Sequence, residues 1–365
     1  GKYAPEKNPA KFALFVSFFP QLIQGPIARF DQLENQLVTP HRFDLDGIER
    51  GLLLMLWGWF KKKVIADRAL SLVEAVFGSQ SAYGGAVIVV GVLFYSLQQY
   101  ADFSGGIDLV TGIAQLFGIQ LAPNFKRPYF SVSLGDFWRR WHISLGAWMR
   151  DYVFYPFALT RPVSRMSKAL KKKAGTHIAR ALPAALGNVL VFLLVGVWHG
   201  AQMNYVLWGL YNGVILAFTA LVEPVYKQMN DRLPRLTASG GFHVFRILRT
   251  FLVVNIGWYF DRCVRVSDAF AMLHKTFFAF NARQLFDGTL DTLGLAAKDY
   301  RILLVATILL FVVSLMQERG VKIRDFVLSR PLALRWAVLY AFIFFVLATF
   351  GGSNVAASGF MYAVF

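Results

Sequence analysis

Cysteine is nearly absent from this chain of 365 residues. The single one, Cys263, permits no internal disulfide and no cysteine metal cluster, so redox chemistry and a structural zinc site have nothing to work with. Its expected role is packing. Acids are scarce as well: 21 Asp and Glu stand against 38 Lys and Arg, and charged residues make up only 16% of the chain. The resulting net charge of +17 would suggest nucleic acid if it sat on a polar domain. Here the bases lie between long uncharged runs and no RNA-binding signature accompanies them, which argues against a nucleic-acid role. An internal repeat, a low-complexity tail and a Ser/Gly linker are also missing, so a single domain over residues 1–365 is the economical expectation. The opening stretch GKYAPEKNPAKF begins at Gly1 and has no apolar signal-peptide core; upstream residues are expected to be missing.

What the chain has in abundance is apolar surface: 56% hydrophobic residues, 35 Phe and 9 Trp, with a mean hydropathy of +0.48. That composition departs from globular usage and predicts an all-α polytopic membrane protein surrounded by lipid. A spanning helix needs about 20 predominantly apolar residues. Runs of that order are Ala75–Ala101, Ala181–Val222 (long enough for two spans) and Trp336–Phe365, with Ile302–Gln317 and Phe242–Phe260 as shorter or less clean examples. The expectation is about six spans. Phe12–Ala28, interrupted by Pro20, Gly25 and Pro26, and Gly51–Phe60, which stops at Lys61, Lys62 and Lys63, read instead as re-entrant or interfacial helices. Irregular backbone at membrane depth requires surrounding protein or a water-filled cavity, so a central funnel or tunnel is implied.

Base-rich connections give an orientation. Arg161–Arg180 carries Arg161, Arg165, Lys168, Lys171, Lys172, Lys173 and Arg180 with no acid and is expected to be a loop; Lys227–Arg249 and Arg319–Arg335 are also basic. Placing all three on the cytoplasmic side satisfies the positive-inside rule and leaves the C-terminus outside.

Three segments carry polar groups that a simple span would not. The stretch NFKRPYFSVSLGDFWRRWHISLGAWMRDYVFYPF, from Asn124 to Phe157, sets Trp138, Trp141, Trp148 and Tyr152 among Asp136, Arg139, Arg140, His142, Arg150 and Asp151. Helical spacing would put Trp138, His142 and Leu145 on one face. An amphipathic helix in the headgroup region explains that mixture as well as a site does. His199, in GVWHGAQMN, ends an uncharged run. A lone histidine there fits packing, yet an ionisable group in an apolar membrane segment is costly and points to function. Gly196 and Gly200 flank it and would let a substrate or a neighbouring backbone approach closely. The third segment, QQYADFSGG, holds Gln98, Gln99, Tyr100, Asp102 and Ser104; Asp102 suits orienting a histidine or holding a cation, and a helix end reaching water fits equally.

In order along the chain, FFPQLIQGPIARF (Phe18–Phe30), YADFSGGIDLVTGIAQLFGIQLAPNFKRPY (Tyr100–Tyr129), FWRRWHISLGAWMRDYVFYP (Phe137–Pro156) and GVWHGAQMNYVLWGLYNG (Gly196–Gly213) strongly resemble the membrane-bound O-acyltransferase family, in particular its alginate O-acetylase branch. The resemblance covers essentially the whole chain and implies a helical bundle of that family's type. It assigns catalysis to His199, in the WHG motif, and a second role to His142, in the RWH motif; His142 would position the thioester, bind the acceptor or assist proton transfer. Asp102 and Asp136 become candidates for orienting a histidine, and Trp138, Arg139, Arg140, Trp141, Trp198 and Asn204 are supporting candidates within the motifs. No metal ligand set and no tightly bound cofactor are expected. The implied reaction moves an acyl group, expected to be acetyl, from a cytoplasmic coenzyme A or acyl carrier protein thioester towards a cell-envelope polysaccharide, through an extracytoplasmic SGNH-type partner, in the bacterial plasma membrane. Two departures stand out: relatives carry additional N-terminal spans, and YADFSGG replaces a YCDFSGY-like motif. The rival readings are a D-alanyl transfer protein of teichoic acid, whose SGPIDR-like wording differs from QGPIAR here, a polysaccharide-precursor transporter or flippase, and a noncatalytic scaffold. A straight helix from Arg180 would carry His199 about 28 Å from the basic loop.

Overall fold

The computed structural model describes residues 6–22, 24–349 and 359–360, and all regular structure among them is helical. In chain order the helices are α1 (Pro9–Ser17), α2 (Phe30–Val38), α3 (Leu45–Trp59), α4 (Asp67–Gly78), α5 (Gly85–Leu116), α6 (Leu134–Arg140), α7 (Ile143–Met149), α8 (Tyr155–Ala158) and α9 (Arg161–Lys173). They continue as α10 (Gly175–His199), α11 (Met203–Leu221), α12 (Glu223–Arg232), α13 (Pro234–Thr237), α14 (Gly240–Arg262), α15 (Val266–Phe278), α16 (Ala297–Glu318), α17 (Ile323–Leu328) and α18 (Leu332–Thr349). Five of them, α5, α10, α11, α16 and α18, are long and apolar enough to cross a membrane. The expected run Phe242–Phe260 lies in α14, a helix of 23 residues that is not among the five and that carries Arg246, Arg249, Asp261 and Arg262. The expected run Trp336–Phe365 begins inside α18; residues 350–358 and 361–365, and with them the orientation of the C-terminus, lie outside the described residues.

The chain divides into two compact units, one of residues 1–78, 93–124 and 283–365, the other of residues 79–92 and 125–282. In the first, α3 runs without a break through a π-helical segment, Phe60–Ala66, into α4. Gly51–Phe60 is therefore part of one continuous helical stretch that runs on past Lys61, Lys62 and Lys63, and α3 is not among the five helices long and apolar enough to cross a membrane. Glycine lets α3 and α5 touch backbone to backbone: a Cβ on Gly58 would lie 2.6 Å from the Gly105 carbonyl oxygen, and one on Gly51 would lie 2.7 Å from that of Gly112. Small residues permit such close packing where lipid supplies no hydrophobic drive between helices.

The close approach sets the lysines of the π-helical segment against α5. Lys61 pairs with Asp108 at 2.8 Å and donates to Ser104 Oγ, also at 2.8 Å. Lys62, 1% exposed, bridges Asp67 at 2.9 Å and Asp102, while Lys63 holds the other oxygen of Asp67 at 2.8 Å. One turn further on, Arg68 pairs with Asp299 of α16 at 3.0 Å. Four cations thus meet four carboxylates. This closure explains why the expected span Ala75–Ala101 is misplaced: the helix breaks around Ser79–Tyr83, then α5 continues past Asp102 and Asp108 to Leu116 because their charge is neutralised. At the far end of α5, Ala114 and the following Ile119 and Leu121 bury against Leu33 of α2.

In the second unit the core is the α10–α11 hairpin. Its helices also meet through glycine: a Cβ on Gly196 would lie 2.4 Å from the Tyr205 carbonyl oxygen, and one on Gly209 would lie 2.3 Å from that of Phe192. The close approach to Gly196 is thus filled by a neighbouring backbone. The expected loop Arg161–Arg180 is instead α9 followed by the first turns of α10. Val163, Met166 and Leu170 recur at helical spacing, Pro162 sits in the first turn where proline is tolerated, and Ser167 Oγ donates to the Ala179 carbonyl at 2.8 Å, so α9 buries Val163, half-buries Met166 and Leu170 and leaves its bases outside. On the other flank, Lys275 of α15 donates to the carbonyls of Gln80, Ser81 and Tyr83. Cys263 is buried with its Sγ 3.5 Å from Met272 Sδ.

Candidate active site

Local sequence places His142 by interrupting a helix. Ser133 caps α6 by accepting from the Asp136 N–H at 3.1 Å, and the carboxylate of Asp136 accepts from Val132 N at 3.2 Å. The same carboxylate pairs with Arg139 at 3.4 Å and Arg140 at 3.2 Å. Asp136 is thus engaged in capping and charge pairing on its own helix. After Trp141 the chain leaves α6, and His142 adopts a left-handed backbone with φ of 47°. Trp138, His142 and Leu145 consequently do not lie along one helix, as uninterrupted spacing would have had it. A left-handed histidine is uncommon, and such strain concentrates at sites where position matters more than local stability.

His199 is placed by the opposite device, a helix end. It is the last residue of α10, and Gly200 and the two residues after it turn the chain into α11. Tyr205 and Trp208, on the first two turns of α11, then flank the imidazole. The Tyr205 ring lies nearly parallel to it at 6.1 Å, and Trp208 meets it edge-on at 5.2 Å. Trp198 touches both histidines, its ring centre 4.9 Å from His199 and 6.3 Å from His142. Trp198 is 49% exposed whereas His142 is buried, so the pair has one open and one closed side. Burial, with the nearby His199 ring acting in the same direction, holds the His142 imidazole below its ordinary pKa.

From Trp208, which touches His199, a stack of aromatic rings continues into the unit. Trp138 meets Trp208 at 5.7 Å and Phe192 at 5.0 Å, both edge to face. Trp141 stacks on Phe137 at 5.4 Å and approaches Trp258, itself fully buried and parallel to Trp208 at 6.4 Å. Two buried asparagines fix the frame. Asn204 donates from Nδ2 to the Phe260 carbonyl at 3.2 Å, joining the start of α11 to the end of α14, and its Oδ1 has no hydrogen-bond partner among the described residues. Asn212 accepts from the Trp138 indole N–H at 3.2 Å.

His142, His199, Trp138, Trp141, Trp198 and Asn204 therefore gather in the second unit, together with Asp136, Arg139 and Arg140, of which Arg139 points to the exterior. Asp102 belongs to the first unit, where Lys62 takes its charge. Sequence reasoning passed over Tyr205, Trp208 and Asn212. Their spacing on the helix that follows WHG was the available signal, because residues three, four and seven apart share a face. Among the described residues no three His, Cys, Asp or Glu side chains converge as a metal site. Chemically, two imidazoles walled by aromatic rings suit proton transfer in a site from which bulk water is partly excluded.

Residues 6–256 match the MBOAT, membrane-bound O-acyltransferase family. The chain is 35% identical over 280 residues to the probable alginate O-acetylase AlgI of Pseudomonas syringae pv. tomato, an alignment covering 76% of this chain and 48% of that protein. It is 32% identical over 264 residues to the peptidoglycan O-acetyltransferase of Helicobacter pylori, covering 72% and 45%. Similarity to the teichoic acid D-alanyltransferase of Bacillus subtilis is lower, 28% over 251 residues, covering 67% and 59%. The chain spans about half the length of the curated relatives it matches.

Proposed function

Because this chain belongs to the membrane-bound O-acyltransferase family, we propose that it transfers an acetyl group from a cytoplasmic thioester towards hydroxyls of a cell-envelope polysaccharide, working in the bacterial plasma membrane. The observation that carries this reading is the convergence of the RWH and WHG histidines on the ring of Trp198. Greater similarity to O-acetylating relatives than to the D-alanyltransferase, together with the QGPIAR wording, supports acetyl as the group moved.

In the proposed reaction, His199 accepts the proton of the attacking hydroxyl as its oxygen bonds to the thioester carbonyl carbon. The tetrahedral intermediate collapses by breaking the carbon–sulfur bond, and the departing thiolate recovers the proton from the imidazolium. His199 ends neutral, and ester and free thiol are the products. An imidazole, with an unperturbed pKa of about 6.5, is basic enough to do this and weak enough to give the proton back. His142 holds one of the two reactants beside Trp198. Coenzyme A or an acyl carrier protein supplies the thioester, and an SGNH-type partner outside the membrane completes delivery to the polysaccharide.

The test is mass spectrometry of envelope polysaccharide from cells carrying wild-type protein, His199→Ala, or no protein. Loss of acetyl ester in the last two, with His199→Ala still present in the membrane at wild-type level, is the expected result. Unchanged acetylation with His199→Ala would overturn the catalytic assignment. Loss of an alanyl ester would redirect the reading to D-alanyl transfer, and loss of polymer export with its esters intact would redirect it to transport.

A further inference from the structure

The hydrogen bonds around Trp138 join two motifs that are far apart in sequence. Asn212 is 3% exposed and uses both ends of its amide: Nδ2 donates to the Trp208 carbonyl one turn back at 2.9 Å, and Oδ1 accepts from the Trp138 indole N–H at 3.2 Å. The first bond fixes the amide on α11. With Nδ2 committed to a carbonyl, Oδ1 is the atom presented to the indole, so the amide orientation is decided by chemistry. The second bond fixes Trp138, which sits on α6 four residues before His142. Trp138 in turn meets the Trp208 ring at 82°, and Trp208 meets the His199 ring at 81°.

We infer that Asn212 is a positioning residue for acyl transfer, setting the spacing of His142 and His199 through the Trp138 indole. The inference rests on the acyltransfer reading of His199. Asn212 touches neither imidazole by hydrogen bond and acts through others. Without the bond, the Trp138 ring keeps its apolar neighbours Phe192 and Trp208 but loses the directional restraint on its rotation. The edge-on contact to Trp208 then loosens, and with it one of the three rings that flank His199. His142 is exposed to the same loosening through α6, whose break from α7 depends on a strained backbone. Misplacement of reacting groups by about 1 Å costs on the order of 100-fold in rate. A partial loosening is expected to cost about 10- to 100-fold.

The experiment is a double-mutant cycle on the full protein in membranes, using Asn212→Ala and Trp138→Phe, with acyl transfer measured as kcat and KM. Phenylalanine preserves the aromatic packing of Trp138 and removes only the N–H and the second ring. Each single variant is expected to lower kcat by about 10- to 100-fold with KM within about 2-fold. In the Trp138→Phe background Asn212→Ala is expected to add less than about 2-fold, because the bond it would remove is already gone. Melting temperature in detergent separates fold from position: a residue that merely stabilises would lower melting without changing kcat per folded molecule. Independent, multiplicative losses, a change confined to KM, or an unchanged kcat in Asn212→Ala would each overturn the inference. His199→Ala run alongside distinguishes the two levels. If it retains activity the acyltransfer assignment fails first; if it is inactive while Asn212→Ala is normal, only the positioning role fails.

Discussion

Lys62→Met is the most informative single change in the first unit. Lys62 is 1% exposed and bridges Asp67 and Asp102, whose side chains are 2% and 3% exposed, so solvent does not screen either pair. Methionine keeps the volume and removes the charge. Asp67 retains Lys63 at 2.8 Å, but Asp102 faces a thioether where the ammonium stood. Removing one partner of a buried ion pair costs about 3–5 kcal/mol, mostly as the penalty of the charge left behind. At about 2–4 °C per kcal/mol for units of this size, melting should fall by about 6–20 °C. Adding Asp102→Leu removes the carboxylate that Lys62 neutralised, and replacing a buried pair by apolar groups is close to neutral, so the double variant should regain at least half of the loss. The assay is thermal melting of the detergent-solubilised protein, followed by recovery of monodisperse material on size exclusion. A Lys62→Met protein that melts within about 2 °C of wild type, or a double variant that shows the sum of the single losses, would refute the claim that the cluster holds the unit together through charge closure.

Other consequences are simpler to check. Gly58→Leu should destabilise the α3–α5 contact by about 1–3 kcal/mol or more, since the new Cβ meets a backbone oxygen that cannot swing away, whereas Gly78→Ala, with open space around it, should melt like wild type. At His142, where φ is 47°, His142→Val should melt below His142→Gly by about 1–2 kcal/mol, because a branched side chain resists the left-handed backbone; acyl transfer should be lost in both. Asn204→Asp turns the Nδ2 donor facing the Phe260 carbonyl into an acceptor and should cost about 1–3 kcal/mol, more than Asn204→Ala; equal melting of the two would remove this bond from the account of how α11 is joined to α14.

Residues that need no polar partner were legible from the sequence, and residues that need one were misjudged. The charge-free rule found the helices now seen as α10, α11 and α16 because their length and apolarity suffice. It stopped α5 at Ala101 and ended α3 at Phe60 because Asp102 and Lys61 look terminal when read locally. Their neutralisation comes from side chains about forty positions away, which a window cannot see. The basic run ending at Lys173 reads as a loop on charge alone, although Val163, Met166 and Leu170 have helical spacing. Nothing between Trp141 and Ile143 announces a break, since no glycine or proline is present; tertiary packing imposes the left-handed turn there. At the site, motif wording points to the two histidines and to Trp198, while Tyr205 and Trp208, which also flank His199, lie beyond the WHG wording on the next helix.

The two kinds of buried polarity also explain why Asp102 and His199 need different company. Lys62 and Asp102 form a buried ion pair, and charges in a low-dielectric interior need a matching partner. The pairing of four cations with four carboxylates around the π-helical segment meets that demand. A histidine that starts neutral, takes a proton and returns it within one turnover is charged only in passing. Aromatic neighbours such as Trp198, Tyr205 and Trp208 suit it because they shape the space without fixing its charge state. Substitution should therefore follow opposite rules in the two units. Charges in the first should be removable in matched pairs with the fold intact, while a matched removal of His142 and His199 should leave a folded protein without activity.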